Sequence, residues 1–239
     1  MDAGGPALNA ARTVRALGGR ARLLTPLGDG AVAQLIRAFL DGIDVHDIAP
    51  AGYAPPVSTV FVAPDAGRAL ASVNTSDELP VAPATAVAGA QALLLDGYVD
   101  AVALAENARS VGIPVVLDGG SFKPITPRLL PHVTVAALSA DFRAPDGTDP
   151  LQWCQRQGAQ AAVVTRGPSP VLVRTADNSY EVPVPEVDAV DTLGAGDVFH
   201  GALALALSSG ATLRDAVAGA AVVASESVRH RGALTWAVS

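Results

Sequence analysis

Residues 92–118 read ALLLDGYVDAVALAENARSVGIPVVLD, and this stretch decides the fold. ALLLD (92–96) and PVVLD (114–118) are short, unbroken apolar runs, the pattern of strands covered on both faces. Between them, Val99 to Val111 has the length and spacing of a helix. Strands joined by a helix in this way lie parallel, with the helix crossing one face of the sheet.

The same alternation continues on either side. Downstream, VTVAAL (133–138) reads as a strand, Pro150 to Gln157 as a helix and AAVVT (161–165) as a strand. VLVRT (171–175) and YEVPV (180–184) suggest a hairpin, and two Ala-rich helices follow at roughly 195–208 and 213–228. Upstream, residues 6–17 place Leu8, Ala11, Val14 and Leu17 on one helical face, and Gly18-Gly19 stops the helix. ARLLTPL then reads as a buried strand and Val32 to Leu40 as an amphipathic helix. One segment breaks the rhythm. From 57 to 74, VSTVFVA and RALASVN are extended runs joined by Pro64-Asp65-Ala66-Gly67, a tight-turn signal, so this hairpin is the expected appendage. The expectation is an α/β fold over residues 1–239, undivided, with a mostly parallel sheet flanked by helices on both faces and a small β element at 57–74.

Composition agrees. Half the residues are apolar and only 4% aromatic, which suits a core of small and β-branched side chains between sheet and helices. A net charge of −7, with Lys123 the only lysine, argues against a nucleic-acid binder, which needs clustered Lys and Arg. The single cysteine, Cys154, excludes a disulfide framework and a Cys-based zinc site. No apolar run reaches membrane-spanning length without charges or breaks, and the expectation is a soluble, cytoplasmic protein.

The chemistry concentrates in residues 187–210, VDAVDTLGAGDVFHGALALALSSG. Gly194-Ala195-Gly196 sits between an extended segment and a strongly helical run. Small residues there let backbone N–H groups converge, and the helix adds its positive end, so the segment suits an anion or charge developing on a transferred phosphate. Asp197, in the first helical turn, can accept a proton from a hydroxyl within reach. A plain tight turn, with Asp197 as a partner of the helix dipole, is the simpler reading of GAGD alone. The stretch is not a Rossmann fingerprint, because Phe199 stands where the third glycine belongs. Nor is there a GxxxxGK loop, which leaves an NAD-binding oxidoreductase without its glycine signature.

The longer strings carry a resemblance. DTLGAGDVFHGAL (191–203) closely resembles the C-terminal signature of the ribokinase-like (PfkB) carbohydrate kinases, and GGPALNAARTVRALGG (4–19) resembles their N-terminal signature. The resemblance covers essentially the whole chain: the 57–74 hairpin looks like part of the family's β lid and VVTRG (163–167) like its nucleotide-loop strand. It implies an ATP-dependent phosphotransferase that moves the γ-phosphate to a hydroxyl of a sugar or sugar-like polyol, using Mg2+ and, beside the anion hole, K+. A nucleoside kinase is the nearest alternative, and a catalytically impaired sugar- or nucleotide-binding relative is the rival from another class. A homodimer through the lid is the oligomer this reading allows.

The resemblance also implies roles. Asp197 matches the catalytic base, and Gly194, Ala195 and Gly196 match the anion hole. Gly4, Gly5 and Asn9 match positions that contact substrate hydroxyls; Thr165 and Gly167 match the strand end that approaches the nucleotide. For these two, an ordinary strand exit into a Gly-Pro turn serves as well. Asp191, with the Leu193 carbonyl and the loop around Arg231-Gly232-Ala233, matches a monovalent-cation site; a turn-capping carboxylate is an equally simple reading. Two departures stand out. Only Met1-Asp2-Ala3 precede the Gly-Gly motif, so the family's first strand, and the substrate-binding Asp it carries, are expected to be missing. The family's Asn-x-x-Glu motif is replaced by Leu138-Ser139-Ala140-Asp141-Phe142, which resembles the ketohexokinase-like branch, with Asp141 expected either at a magnesium-bound water or as a loop cap. Lys123 and Arg166 are each open to a phosphate contact, with surface placement the simpler reading. Histidines 46, 132, 200 and 230 show no metal-ligand spacing, and none is assigned to a site.

Overall fold

The computed structural model describes residues 3–62, 68–72, 79–232 and 235–238. Helix α1 (Pro6–Ala16) is followed by strand β1 (Arg22–Thr25), helix α2 (Ala31–Arg37) and strand β2 (Asp44–Asp47). β1 and β2 pair in parallel as a small sheet of their own, Leu23 opposite Val45. Their apolar side closes with Leu8 of α1 and Ala33 of α2 into a small cluster that also takes in Leu27 and Leu40. Strand β2 was not anticipated from the sequence, because DVHD carries no apolar run. Strands β3 (Ser58–Val62) and β4 (Arg68–Ser72) form the expected antiparallel hairpin. The Pro64–Gly67 turn lies outside the described residues.

The main sheet is built from β5 (Leu93–Leu95), β6 (Val115–Gly119), β7 (Val135–Ser139), β8 (Ala161–Arg166), β9 (Ser169–Thr175) and β10 (Ser179–Val182). Its order is β10-β9-β8-β7-β6-β5; β5 to β8 run parallel, and β9 and β10 turn back as antiparallel strands. Helices α3 (Val102–Ser110), α4 (Thr126–Leu129) and α5 (Pro150–Arg156) connect the parallel strands, and α6 (Ala195–Ser208), α7 (Leu213–Ser227) and a short 3-10 turn (Thr235–Val238) follow the sheet. Helix α3 starts later than Val99 because Asp100 is held in a bridge with Val81 and its carboxylate accepts the Val102 N–H.

The pleat sorts the strands between two cores. Val115, Leu117, Ala136 and Leu138 face a core shared with Leu104 of α3 and Leu151 and Trp153 of α5. Val116, Val135, Ala137 and Val163 face the other core, with Phe199, Ala202 and Leu203 of α6 and Val217 and Ala220 of α7. The result is a helix–sheet–helix sandwich, and parity decides what reaches the α6 side: beyond Leu94 and Val116, which point that way, come Asp96 and Asp118. Helix α1 lies against α6, and Gly201 allows the approach. A Cβ there would stand 2.6 Å from the Ala10 carbonyl oxygen and 3.0 Å from Cβ of Thr13.

Candidate active site

The start of α6 meets α1, from the other half of the chain. Gly194 caps the helix at φ +76°, a left-handed conformation that side chains disfavour, and this leads the turn at 191–194 into the helix. Gly196 is exposed, and no atom lies within 4 Å of where a side chain would begin, so the backbone there is open to an approaching group. One residue further, Asp197 is half-buried, and its Oδ2 accepts a 2.7 Å hydrogen bond from Nδ2 of Asn9 on α1. Gly4 and Gly5 are exposed at the start of α1, on the segment that carries Asn9.

Beneath Asp197 lies a buried charged group that sequence reasoning missed. His200, one turn further along α6, points Nδ1 at Oδ2 of Asp118 at 3.1 Å. The N–H direction is poor for a hydrogen bond and Nδ1 has no other hydrogen-bond partner, so the attraction is mainly that of charge. Asp118, Asp197 and His200 bring donor atoms within 4.8 Å of one another, the one such group of three or more His, Cys, Asp or Glu found among the described residues. Burial pushes the Asp197 carboxyl up; Asn9 pulls it down, Asp118 and Asp96 push it up, and His200 pulls it down. For Asp118, burial raises the carboxyl, but His200 and further donors outweigh it and hold it below the usual range. His200 is opposed by burial, yet Asp118, Asp197 and the Ala137 carbonyl together raise it. Asp96 is raised, mainly by burial. A signal for this group existed: ALLLD and PVVLD both end in Asp at the carboxyl end of neighbouring parallel strands, where open sheets place their sites, and His200 is three residues from Asp197 on one helix.

The remaining expected residues fall around this centre or away from it. Thr165, next to last in β8, sets Oγ1 3.3 Å from the Leu138 carbonyl, and Gly167 is exposed in the β8–β9 turn. Arg166 donates to the Pro170 carbonyl and pairs with Glu181, so hairpin contacts occupy it. An open groove of about 670 Å3 runs between Pro168, residues 186–188 and Arg229. Asp141 is exposed just beyond β7, its N–H on Oγ of Ser139. Asp191 accepts the Leu193 N–H with one oxygen and the Gly232 N–H with the other, tying the turn before α6 to the loop after α7. Ala233 lies outside the described residues. Lys123 is not an exposed stem: it is half-buried, packs near Gly97 and sets Nζ 4.5 Å from the Tyr98 ring centroid.

A carboxylate beside an open helix start, at the carboxyl ends of a covered parallel sheet, is the make-up of an α/β protein that handles phosphate. The chain belongs to the pfkB family of carbohydrate kinases, whose model matches residues 1–237. It is 28% identical to a bifunctional protein HldE of Halorhodospira halophila, over 97% of this chain and 53% of that protein. It is 26% identical to ribokinase of Arabidopsis thaliana, over 87% of this chain and 62% of that protein. The chain thus spans about half to three-fifths of these relatives. Among solved structures, a putative ribokinase from Agrobacterium tumefaciens superposes with a TM-score of 0.82 at 27% identity, over 97% of this chain and 81% of that one. Arabidopsis ribokinase complexed with ribose and ATP shares the fold, with a TM-score of 0.80 at 22% identity, over 98% and 84%.

Proposed function

We propose that the protein transfers the γ-phosphate of ATP to a hydroxyl of a sugar or sugar-like polyol. The observation that carries this is Asp197: a half-buried carboxylate, oriented by Asn9, next to the open backbone of Gly196. In this reading the hydroxyl lies within hydrogen-bond reach of Asp197, which takes its proton as the oxygen attacks phosphorus in line. The amides of Gly194, Ala195 and Gly196, at the positive end of α6, stabilise the charge on the transferring group. Gly4 and Gly5, on the segment with Asn9, face the sugar. The nucleotide runs from Thr165 and Gly167 along the groove lined by Pro168 and Arg229. Mg2+, when bound, neutralises phosphate charge, and the exposed carboxylate of Asp141 suits one of its waters. K+ is assigned to the turn that Asp191 joins to the Gly232 loop. The β3–β4 hairpin is read as part of a lid over the sugar and as the surface for a homodimer.

The test is turnover of ATP against a panel of pentoses, hexoses and nucleosides, with and without K+, for the parent protein and Asp197→Asn. We expect a sugar to be phosphorylated, and the substitution to lower kcat by about 10²–10⁴-fold while ATP still binds. A variant that keeps most of its kcat would overturn the role of Asp197, and turnover confined to nucleosides would overturn the substrate class.

A further inference from the structure

The ring of His200 is buried between acceptors. Nδ1 faces the Asp118 carboxylate at 3.1 Å, and ligand atoms of Asp118, Asp197 and the ring all lie within 4.8 Å of one another. A neutral ring would leave two carboxylates in largely water-free surroundings facing an uncharged group, so the imidazolium is the form this grouping favours. The nearest charges are Asp118 from β6 and Asp197 from its own helix. Asp96, after β5, and Lys123, after β6, act on those carboxylates. The other elements packed on α6 add no charge: α1 brings Asn9 and Thr13, and α7 presents Ala216, Val217 and Ala220. Two carboxylates, Asp118 and Asp197, therefore converge on one buried cation, with Asp96 and Lys123 acting on them from the edge.

We propose that His200 is a positioning residue for phosphoryl transfer: as a buried cation between Asp118 and Asp197, it keeps the Asp197 carboxylate ionised and ready to accept a proton at neutral pH. This rests on the reading of Asp197 as the base. Without the cation, Asp197 would face burial and the repulsion of Asp118 and Asp96 with Asn9 and the positive end of α6 on its side, and would hold its proton to higher pH. A filler of the α6 core would leave no such mark.

The experiment needs no substrate. The full chain, isotopically labelled, is titrated from pH 4 to 9 by NMR. The ring of His200 is assigned among the four histidines by His200→Gln, and the carboxyl of Asp197 by Asp197→Asn. We expect the His200 ring to stay charged past pH 7. In His200→Gln, which keeps a side-chain donor for Asp118 but no charge, the Asp197 midpoint should rise by at least about one pH unit, the lower end of what an opposite charge at 4–6 Å does. The acid limb of ATP turnover with the best sugar of the panel should rise with it, and His200→Leu should show the same displacement. A ring that loses its proton below pH 6.5, or an Asp197 midpoint that His200→Gln leaves in place, overturns the proposal. Activity retained in Asp197→Asn would instead remove the base assignment and leave the titrations standing, so the two failures are separable.

Discussion

Two helix ends in this molecule hold a histidine against a carboxylate, and they differ in almost everything but distance. At the start of α6, His200 and Asp118 approach to 3.1 Å with side chains 6% and 10% exposed. At the end of α7, His230 and Glu226 approach to 3.2 Å with side chains 35% and 50% exposed, one turn apart on the helix and its exit. The first pair has lost most of its water, so each partner depends on the other's charge; the second keeps its water and depends on little. The sequence string is similarly plain in both places, and burial alone makes one pair part of a site.

The largest effect should come from removing one buried partner. Asp118→Asn leaves His200 without the carboxylate at 3.1 Å, and breaking a buried pair in this way costs about 3–5 kcal/mol. The cost depends on pH. Asp118 has a folded value below its ordinary 3.8, so its contribution is present above that pH and lost as pH falls through the folded value. His200 has a folded value above 6.5, so its contribution is complete below 6.5 and lost as pH rises through the folded value. Urea unfolding should therefore show the greatest difference between parent and variant between pH 3.8 and 6.5, shrinking on both sides. A difference that is flat with pH would mean that Asp118 and His200 pack together without exchanging charge.

A smaller loss of stability is expected from the glycine that lets α1 reach this site. Gly201→Val drives a branched side chain into the Ala10 carbonyl, and overpacking of this kind costs about 1–3 kcal/mol. Because Asn9 sits on the same helix as Ala10, activity should fall with stability. Gly196→Val is the control on the same helix: nothing lies within 4 Å of an added Cβ, so stability should move by no more than about 0.5 kcal/mol. Turnover should still drop, because the side chain occupies the space where phosphate would approach. Thermal melts beside kcat/KM separate the two, and equal losses of both quantities at Gly196 would reduce that segment to a turn.

How much of this was legible follows from the same contrast. The strands β5 to β8 were readable because each is a continuous apolar run between polar punctuation, and the helices because their spacing is regular. β2 was not, since Asp44-Val45-His46-Asp47 pairs with β1 alone and shows mostly polar residues. Asp197 and its glycines stood out as a local string. Asp118 and His200 lie 82 positions apart in sequence (200 minus 118) and meet only because β6 and α6 share a face, which no local pattern records. Asn9 could be matched to a family position, but its bond to Asp197, 188 residues away, belongs to the fold. For Asp191, the turn-capping reading describes the observed hydrogen bonds, and a cation there remains a proposal.

The smallest effect should be found at the other helix end. Hydrogen bonds from His230, then Arg229, hold the Glu226 carboxyl below its usual range, so the stability these contacts supply is present above the ordinary carboxylate value and lost as pH falls through the folded one. Glu226 is open to solvent, however, and salt at 1 M shortens the reach of such a charge to about 3 Å. Glu226→Gln should therefore leave the unfolding midpoint indistinguishable from the parent's at neutral pH, and any difference seen at low salt should vanish as salt is added. Asp118→Asn should keep most of its deficit through the same salt series, because its pair is shielded from ions by the sheet and α6. If both deficits fade together, solvent and salt reach the His200 pair as freely as the His230 pair, and the distinction between the two helix ends is lost.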